Sequence, residues 1–444
     1  MNSALSKLIL NFFCRFTVVR MDMITIILTL FILGYAAIAF EHPLKVNKTA
    51  TALITGVLCW TVYVVFSASP EIVGEELSHH LASIAEILFF LMGAMTIVEL
   101  IDAHHGFDII TDRIQTTNKV RLLWIVSLLT FFLSAALDNL TTAIVMVSLL
   151  RKLVKDPMDR RFFAGIVIIA ANSGGAWSPL GDVTTTMLWI GGQITPLNIV
   201  LELFIPSLIS MLVPLIYLSF KLKGNLERPA KINRKHEKHS AIMLFAGISG
   251  FIMVPVFKQL THLPPYMGIL LALGLVWLVS EFIHSGKDEE LRKPYTAAHA
   301  LSRIDLSSVL FFFGILAAIG VLEATHILSN LATAMDKTIG NSDVIVIAIG
   351  LASAIVDNVP LVAATQGMYS LVDFPPDSKI WEFIAYCAGT GGSILIIGSA
   401  AGVAVMGMEK IDFMWYVKRI SLLALIGYFA GALAYLGIYE LMGR

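Results

Sequence analysis

Charge is scarce in this sequence. Of 444 residues only 14% are Asp, Glu, Lys or Arg, against about 25% in an ordinary soluble protein. The 31 basic residues nearly cancel the 32 acidic ones, leaving a net charge of −1. That excludes a cytosolic enzyme and a disordered chain, and it leaves no basic footprint for nucleic acid. Cysteine is also rare: Cys14, Cys59 and Cys387 make an odd count of three, with neither a disulfide framework nor metal-ligand spacing. No His-Glu-x-x-His occurs. The first 20 residues carry Lys7, Arg15 and Arg20 around a modest apolar patch without a small-residue cleavage site, and Met21 is an alternative start. What the chain has instead is apolar sequence, 57% of it, in runs too long for a β-barrel. The expected fold is an all-α polytopic membrane protein.

Continuous candidate spans are 22–40, 50–67, 85–103, 198–220, 240–256, 265–283, 304–324 and 419–441. Three further apolar regions, 122–150, 162–194 and 343–409, are interrupted by Asp, Asn, Gly and Pro. The stretch 221–239 carries seven Lys and Arg residues, so it reads as cytoplasmic and divides the chain. The loops 112–121 and 151–161 are basic too, whereas 68–80 holds Glu71, Glu75 and Glu76 without Lys or Arg and reads as external. About 30 residues separate the two basic loops, too few for two comfortable crossings. A re-entrant helical hairpin breaking at Asp138-Asn139 satisfies both constraints. The expected organisation is an N-terminal extension (1–20), a first transmembrane repeat (21–220), a basic linker (221–239) and a second repeat (240–444).

Internal similarity supports the two halves. Ser134-Ala-Ala-Leu-Asp138-Asn139-Leu140 matches Ser353-Ala-Ile-Val-Asp357-Asn358-Val359, 219 residues on. Asn172-Ser-Gly-Gly matches Gly389-Thr-Gly-Gly at an offset of 217, and Gly181 then aligns with Gly398. Counted from the cytoplasmic linker, the second hairpin, 343–372, enters from the side opposite the first. The pattern is two inverted-topology repeats, each with a re-entrant hairpin and a broken transmembrane helix. Segments 104–118 and 325–338 occupy equivalent places and read as interfacial helices.

The breaks carry the chemistry. Glycine permits unwound backbone and Pro179 removes a helix hydrogen bond. A carboxylate at bilayer depth is costly, which makes Asp138, Asp357 and Asp182 functional candidates, with Glu86 and Glu99 behind them. Ser134, Asn139, Thr141, Asn172, Ser353, Asn358, Thr390 and Ser393 add oxygen ligands of the kind hard cations prefer. An acid tuned by burial and by a bound cation holds a proton or a metal ion, not both. That competition is the minimal mechanism of cation/proton exchange. His79, with His80, lies in the external loop and is a candidate for pH sensing.

These motifs resemble the NhaD-type sodium/proton antiporters of the ion transporter superfamily. The resemblance rests on Phe31-Ile-Leu-Gly-Tyr35, Phe40-Glu-His-Pro43, the Ser-x-x-x-Asp-Asn pair, Asn172-Ser-Gly-Gly-Ala-Trp-Ser-Pro-Leu-Gly-Asp182-Val-Thr-Thr and Ser353-Ala-Ile-Val-Asp-Asn-Val-Pro360, and it spans 22–441. It implies export of Na+ or Li+ for H+, no cofactor, a homodimer and a bacterial inner membrane. It also implies that Asp138, Asn139, Asp357, Asn358, Asn172, Asp182, Thr184 and Thr185 relay the ions, with Na+ at Asp138 and Asp357.

Blander roles stand beside these. Asp138, Asp357 and Asp182 suit helix N-caps, and Glu86 and Glu99 sit where a side chain can reach an interface. Gly427-x-x-x-Gly431 reads as close helix packing. The alternative function is a carboxylate or arsenite/oxyanion carrier of the same superfamily, which aspartates at both tips oppose. An intramembrane aspartic protease requires Gly-x-Gly-Asp, whereas here the sequence is Pro179-Leu-Gly-Asp182.

Overall fold

The computed structural model describes residues 23–38, 41–111, 114, 116–226, 238–286, 288–355 and 357–443. The N-terminal extension 1–20, Cys14, Phe40 and most of the 221–239 linker lie outside them. Among the described residues there is no strand, only one isolated bridge, Asn118 to Asn225. The longer helices in the first half are α1 (Met23–Ile38), α2 (Lys48–Phe66), α3 (Pro70–Ala103), α4 (Lys119–Leu137), α5 (Asn139–Leu153), α6 (Pro157–Ala176), α7 (Val183–Ile190) and α8 (Pro196–Lys221). In the second half they are α9 (Lys238–Thr261), α10 (Pro265–Ile283), α11 (Leu306–Ala324), α12 (Ile327–Ile339), α13 (Ser342–Ala352), α14 (Asn358–Met368), α15 (Lys379–Gly391), α16 (Ala400–Glu409) and α17 (Leu422–Leu441). Eight of the described helical segments are long and apolar enough to cross a membrane.

Three boundaries differ from those expected. Helix α3 runs for 34 residues and absorbs most of the expected external loop 68–80, with Glu71, Glu75, Glu76, His79 and His80 inside it. The cause is local: Pro70 fits the first helical position and Glu71 complements the positive helix end. Helix α4 begins at Lys119 because Asn118 accepts a hydrogen bond from the Arg121 amide. Its 19 residues span about 28 Å, the length of a full crossing. Among its described residues the segment 104–118 holds the four-residue helix Asp108–Thr111, whereas its counterpart forms the 13-residue α12.

The chain divides into two compact units that do not coincide with the halves. One takes the described residues up to Leu88 together with Asp305–Lys337 and Ala363–Tyr369. Inside it α2 packs on α11, and the Trp60 indole donates to the Ala317 carbonyl at 2.9 Å. The other unit, Phe89–Ile304, Thr338–Val362 and Ser370–Arg444, contains both hairpin tips and both broken helices.

Within this second unit the sequence repeat is a repeat of contacts. Ser134 Oγ donates to the Ala171 carbonyl at 2.6 Å, and Ser353 Oγ donates to the Ala388 carbonyl at 2.9 Å. A β-carbon at Gly174 would collide with the Phe131 carbonyl, and one at Gly391 with the Gly350 carbonyl. The offsets are the same 217 and 219 residues seen in the sequence. In each half a glycine lets the broken helix touch the backbone of the hairpin's first arm. Helices α8 and α17 approach similarly, because a β-carbon at Gly427 would strike the Ser210 carbonyl. This is the close packing expected of Gly427-x-x-x-Gly431.

Candidate functional site

Each break ends in a helix cap. At the first hairpin tip α4 stops at Leu137 and α5 starts at Asn139. Asp138 stands between them at φ +91° and ψ 157°, a region that side chains other than glycine enter at a cost of about 1–3 kcal/mol. Its carboxylate caps α5, accepting from the Thr141 amide and the Thr141 hydroxyl, both at 2.8 Å. At the second tip α13 ends at Ala352 and α14 starts at Asn358. There Asp357 accepts from the Val359 amide at 3.3 Å.

The broken helices end in the same way. Helix α6 stops at Ala176, the chain unwinds through Trp177–Gly181, and Asp182 caps α7. Its Oδ1 accepts from the Thr184 amide and the Thr184 hydroxyl, both at 2.9 Å. Thr185 and Thr186 tie the turn down by donating to the Asp182 and Pro179 carbonyls. In the second half α15 stops at Gly391, and Ser399 caps α16 by accepting from the Gly402 amide at 3.2 Å.

Asp182 is where these elements converge. It is 2% exposed. The Asn139 amide of the first tip donates to its Oδ2 at 2.5 Å. The Asn358 amide of the second tip donates to Oδ1 and Oδ2 at 3.3 and 3.2 Å. Asn139 also donates to Asn172 Oδ1 at 3.1 Å, and Asn172 donates to Ser399 Oγ at 3.0 Å. One continuous network thus joins both tips and both breaks. A buried carboxylate costs several kcal/mol unless its lone pairs are filled, and here two amides, a hydroxyl and a backbone N–H fill them. Asp357 immediately precedes Asn358, whose amide bonds Asp182.

Of the residues singled out in the sequence, Asp182, Asn139, Asn358, Asn172 and Thr184 meet in this network. Asp138, with Thr141, and Asp357 flank it, both half-buried and each next to an asparagine that belongs to it. Ser134, Ser353, Thr390 and Ser393 give their hydroxyl protons to backbone carbonyls instead. Glu99 pairs with Arg303 at 2.8 Å, away from the breaks in sequence and in bonding. Glu86 and His79 belong to the other compact unit, and His79 is exposed on α3. Ser399 is the member that residue type alone misses. Its signal is the offset of 217, which aligns it with Asp182. Among the described residues no three His, Cys, Asp or Glu side chains are grouped to hold a metal. The oxygens here are amide, hydroxyl and carboxylate oxygens, donors of the kind that hard cations accept.

Paired hairpin tips and broken helices meeting at a buried acid, among helices of membrane-crossing length, define an integral membrane protein of the secondary-transporter class. The model of the citrate transporter family, CitMHS, matches residues 35–381, and the chain belongs to that family. It is 51% identical to "Sodium/proton antiporter 1" of Arabidopsis thaliana over 93% of this chain and 72% of that protein. It is 29% identical to the "Na(+)/H(+) antiporter NhaD" of Vibrio cholerae over 90% of this chain and 89% of that one. The NhaD resemblance read from the motifs fits these relatives, which carry transporter names and not enzyme names. Because they come from a plant as well as a bacterium, they place the chain in a membrane without fixing which one. The Alcanivorax borkumensis YdaH transporter shares the fold, with a TM-score of 0.54 at 11% identity over 85% of this chain and 90% of that chain.

Proposed function

We propose that this chain exchanges Na+ or Li+ for H+ across its membrane, with Asp182 as the group that carries either ion. The observation behind this reading is the gathering of both hairpin-tip amides on one buried carboxylate. An asparagine amide has a donor end and an acceptor end. With its N–H toward Asp182 it stabilises the bare carboxylate. Turned through half a rotation, it offers a carbonyl oxygen to a sodium ion held there. Asn139 and Asn358 thereby report the state of Asp182 to both hairpins. Asp138 and Asp357 set each tip and add negative potential at the ion's approach. The similarity to the Arabidopsis and Vibrio antiporters supports the same reading.

In this reading the two halves are inverted repeats and the hairpins re-enter the membrane, which the basic loops flanking the first hairpin and the count of spans from the basic linker to the second support. The assembly is a homodimer, and a bacterial inner membrane or any other that maintains a proton gradient drives the exchange. The family's citrate description raises a second reading, a carboxylate carrier. Asp182, with an aspartate at each of the two breaks whose asparagines bond it, repels a carboxylate and opposes that reading.

Proton flux in proteoliposomes, titrated in turn with sodium, lithium, potassium and citrate, separates the two. Sodium and lithium are expected to move protons, and citrate is not. Because one proton competes with one cation, the apparent sodium affinity should strengthen by up to about tenfold per pH unit while the acid is still largely protonated. Proton flux driven by citrate and indifferent to sodium would overturn the proposal.

A further inference from the structure

The two half-helices that point their capped N-termini into the network are also gripped at their far ends. The last turn of a helix presents carbonyls without intrahelical partners and carries a partial negative charge, which a cation stabilises. At the end of α7 the Lys258 ammonium, reaching over from α9, donates to the Trp189 carbonyl at 3.2 Å. It also lies 5.1 Å from the centre of the Trp189 ring. Trp189 is fully buried, and Phe90 packs edge-on against it. At the end of α16 Arg151, reaching over from α5, donates to the Met408 carbonyl. Arg151 also pairs with Glu409 at 2.7 Å, and Arg160 takes the other Glu409 oxygen at 2.5 Å.

The two grips differ in kind. The end of α16 is held by a two-arginine network around the buried Glu409 carboxylate. The end of α7 is held by its own closing turn, in which the Gly191, Gly192 and Gln193 amides donate to the Met187, Trp189 and Leu188 carbonyls, and by Lys258 acting on the Trp189 carbonyl and ring. Helix α7 has only eight residues, about 12 Å, too short to be stable without its anchors. Asp182 sits at its other end. There its carboxylate accepts from Asn139 and Asn358 together.

We infer that Lys258 is a positioning residue for the cation site: it anchors the C-terminal end of α7 and so holds Asp182 between the two hairpin tips. The inference rests on the reading that Asp182 carries the transported cation. Lys258 touches no ion. Its effect passes through the helix, so its loss weakens cation binding more than it slows turnover.

The test uses full-length protein in proteoliposomes. Lys258→Met should raise the apparent sodium KM by about three- to tenfold, the range of a lost helix-end cation in a partly buried setting, and reduce the maximal rate less than KM rises. Lys258→Arg, which keeps a cation donor, should restore KM close to the parent. If the Met variant fails to insert, Lys258→Gln takes its place with the same expected rise. An unchanged KM, a fall in maximal rate alone, or an Arg variant as impaired as the Met variant would overturn the inference. A second arm needs no transport. Backbone amide exchange across 184–191 should quicken in Lys258→Met and not in Lys258→Arg, while 401–409 stays as in the parent. Equal exchange in all three proteins would also overturn it. Failure of the parent to couple sodium to protons would sink the functional reading instead and leave the exchange arm standing.

Discussion

The two broken helices do the same structural job with different chemistry. In both, a glycine brings the helix against the hairpin backbone, a serine of the hairpin donates to a helix carbonyl, and a side-chain oxygen caps the half-helix beyond the break. In the first half that cap is Asp182, and in the second it is Ser399. A carboxylate and a hydroxyl are interchangeable as caps. They are not interchangeable as ion carriers, because only the carboxylate changes charge when a proton leaves. The repeat therefore supplies the frame twice and the charge-changing group at the crossing once. The second half contributes Asn358, which reads that group, and Ser399, which closes the network through Asn172.

The comparison breaks most sharply at its acid. Asp182→Asn should abolish sodium-driven proton flux, a loss of at least about a hundredfold, since no other group replaces its charge change. The variant should still insert, because an asparagine also caps a helix. Asp138→Asn and Asp357→Asn test the flanking acids. Each is expected to lower exchange severely, and near-normal flux in either would remove that residue from the mechanism. Next come the tip amides. Asn139→Ala and Asn358→Ala should each weaken apparent sodium affinity by about one to two orders of magnitude, the effect of stripping one partner from a buried charge. The loss should be larger for Asn139, whose contact is 2.5 Å, than for Asn358 at 3.2 Å. Equal losses in sodium titrations would mean that the two tips grip Asp182 alike. The smallest effect belongs to Ser399→Ala, which removes a neutral cap and one acceptor for Asn172. It should cost stability of about 1 kcal/mol, read as a lower melting temperature, with less than a threefold change in sodium affinity.

Much of this arrangement was legible before any coordinates. Asp138-Asn139 and Asp357-Asn358 announced the hairpin tips because acids and amides interrupt apolar runs only where a helix must end and a charge has a use. The glycine breaks were legible for the same reason. The start of α3 was missed: its acidic first turns read as an external loop, although Pro70 followed by Glu71 marks a helix start. The hierarchy among the acids was not legible either. The resemblance points to Asp138 and Asp357 as the sodium-holding acids and gives Asp182 no precedence over them. Only the fold shows both tip amides donating to Asp182 while Asp138 spends its oxygens on Thr141. Nor does the repeat foretell the compact units, which draw helices from both halves because packing follows contact rather than chain order.

The central claim is that one buried acid trades a proton for a cation. The most direct measurement counts protons released when sodium is added to the purified protein in weakly buffered detergent solution near the pH where exchange sets in. The account predicts release that saturates with sodium, falls away at higher pH and is absent in Asp182→Asn. Sodium binding without proton release in the parent, or undiminished release in Asp182→Asn, would contradict it.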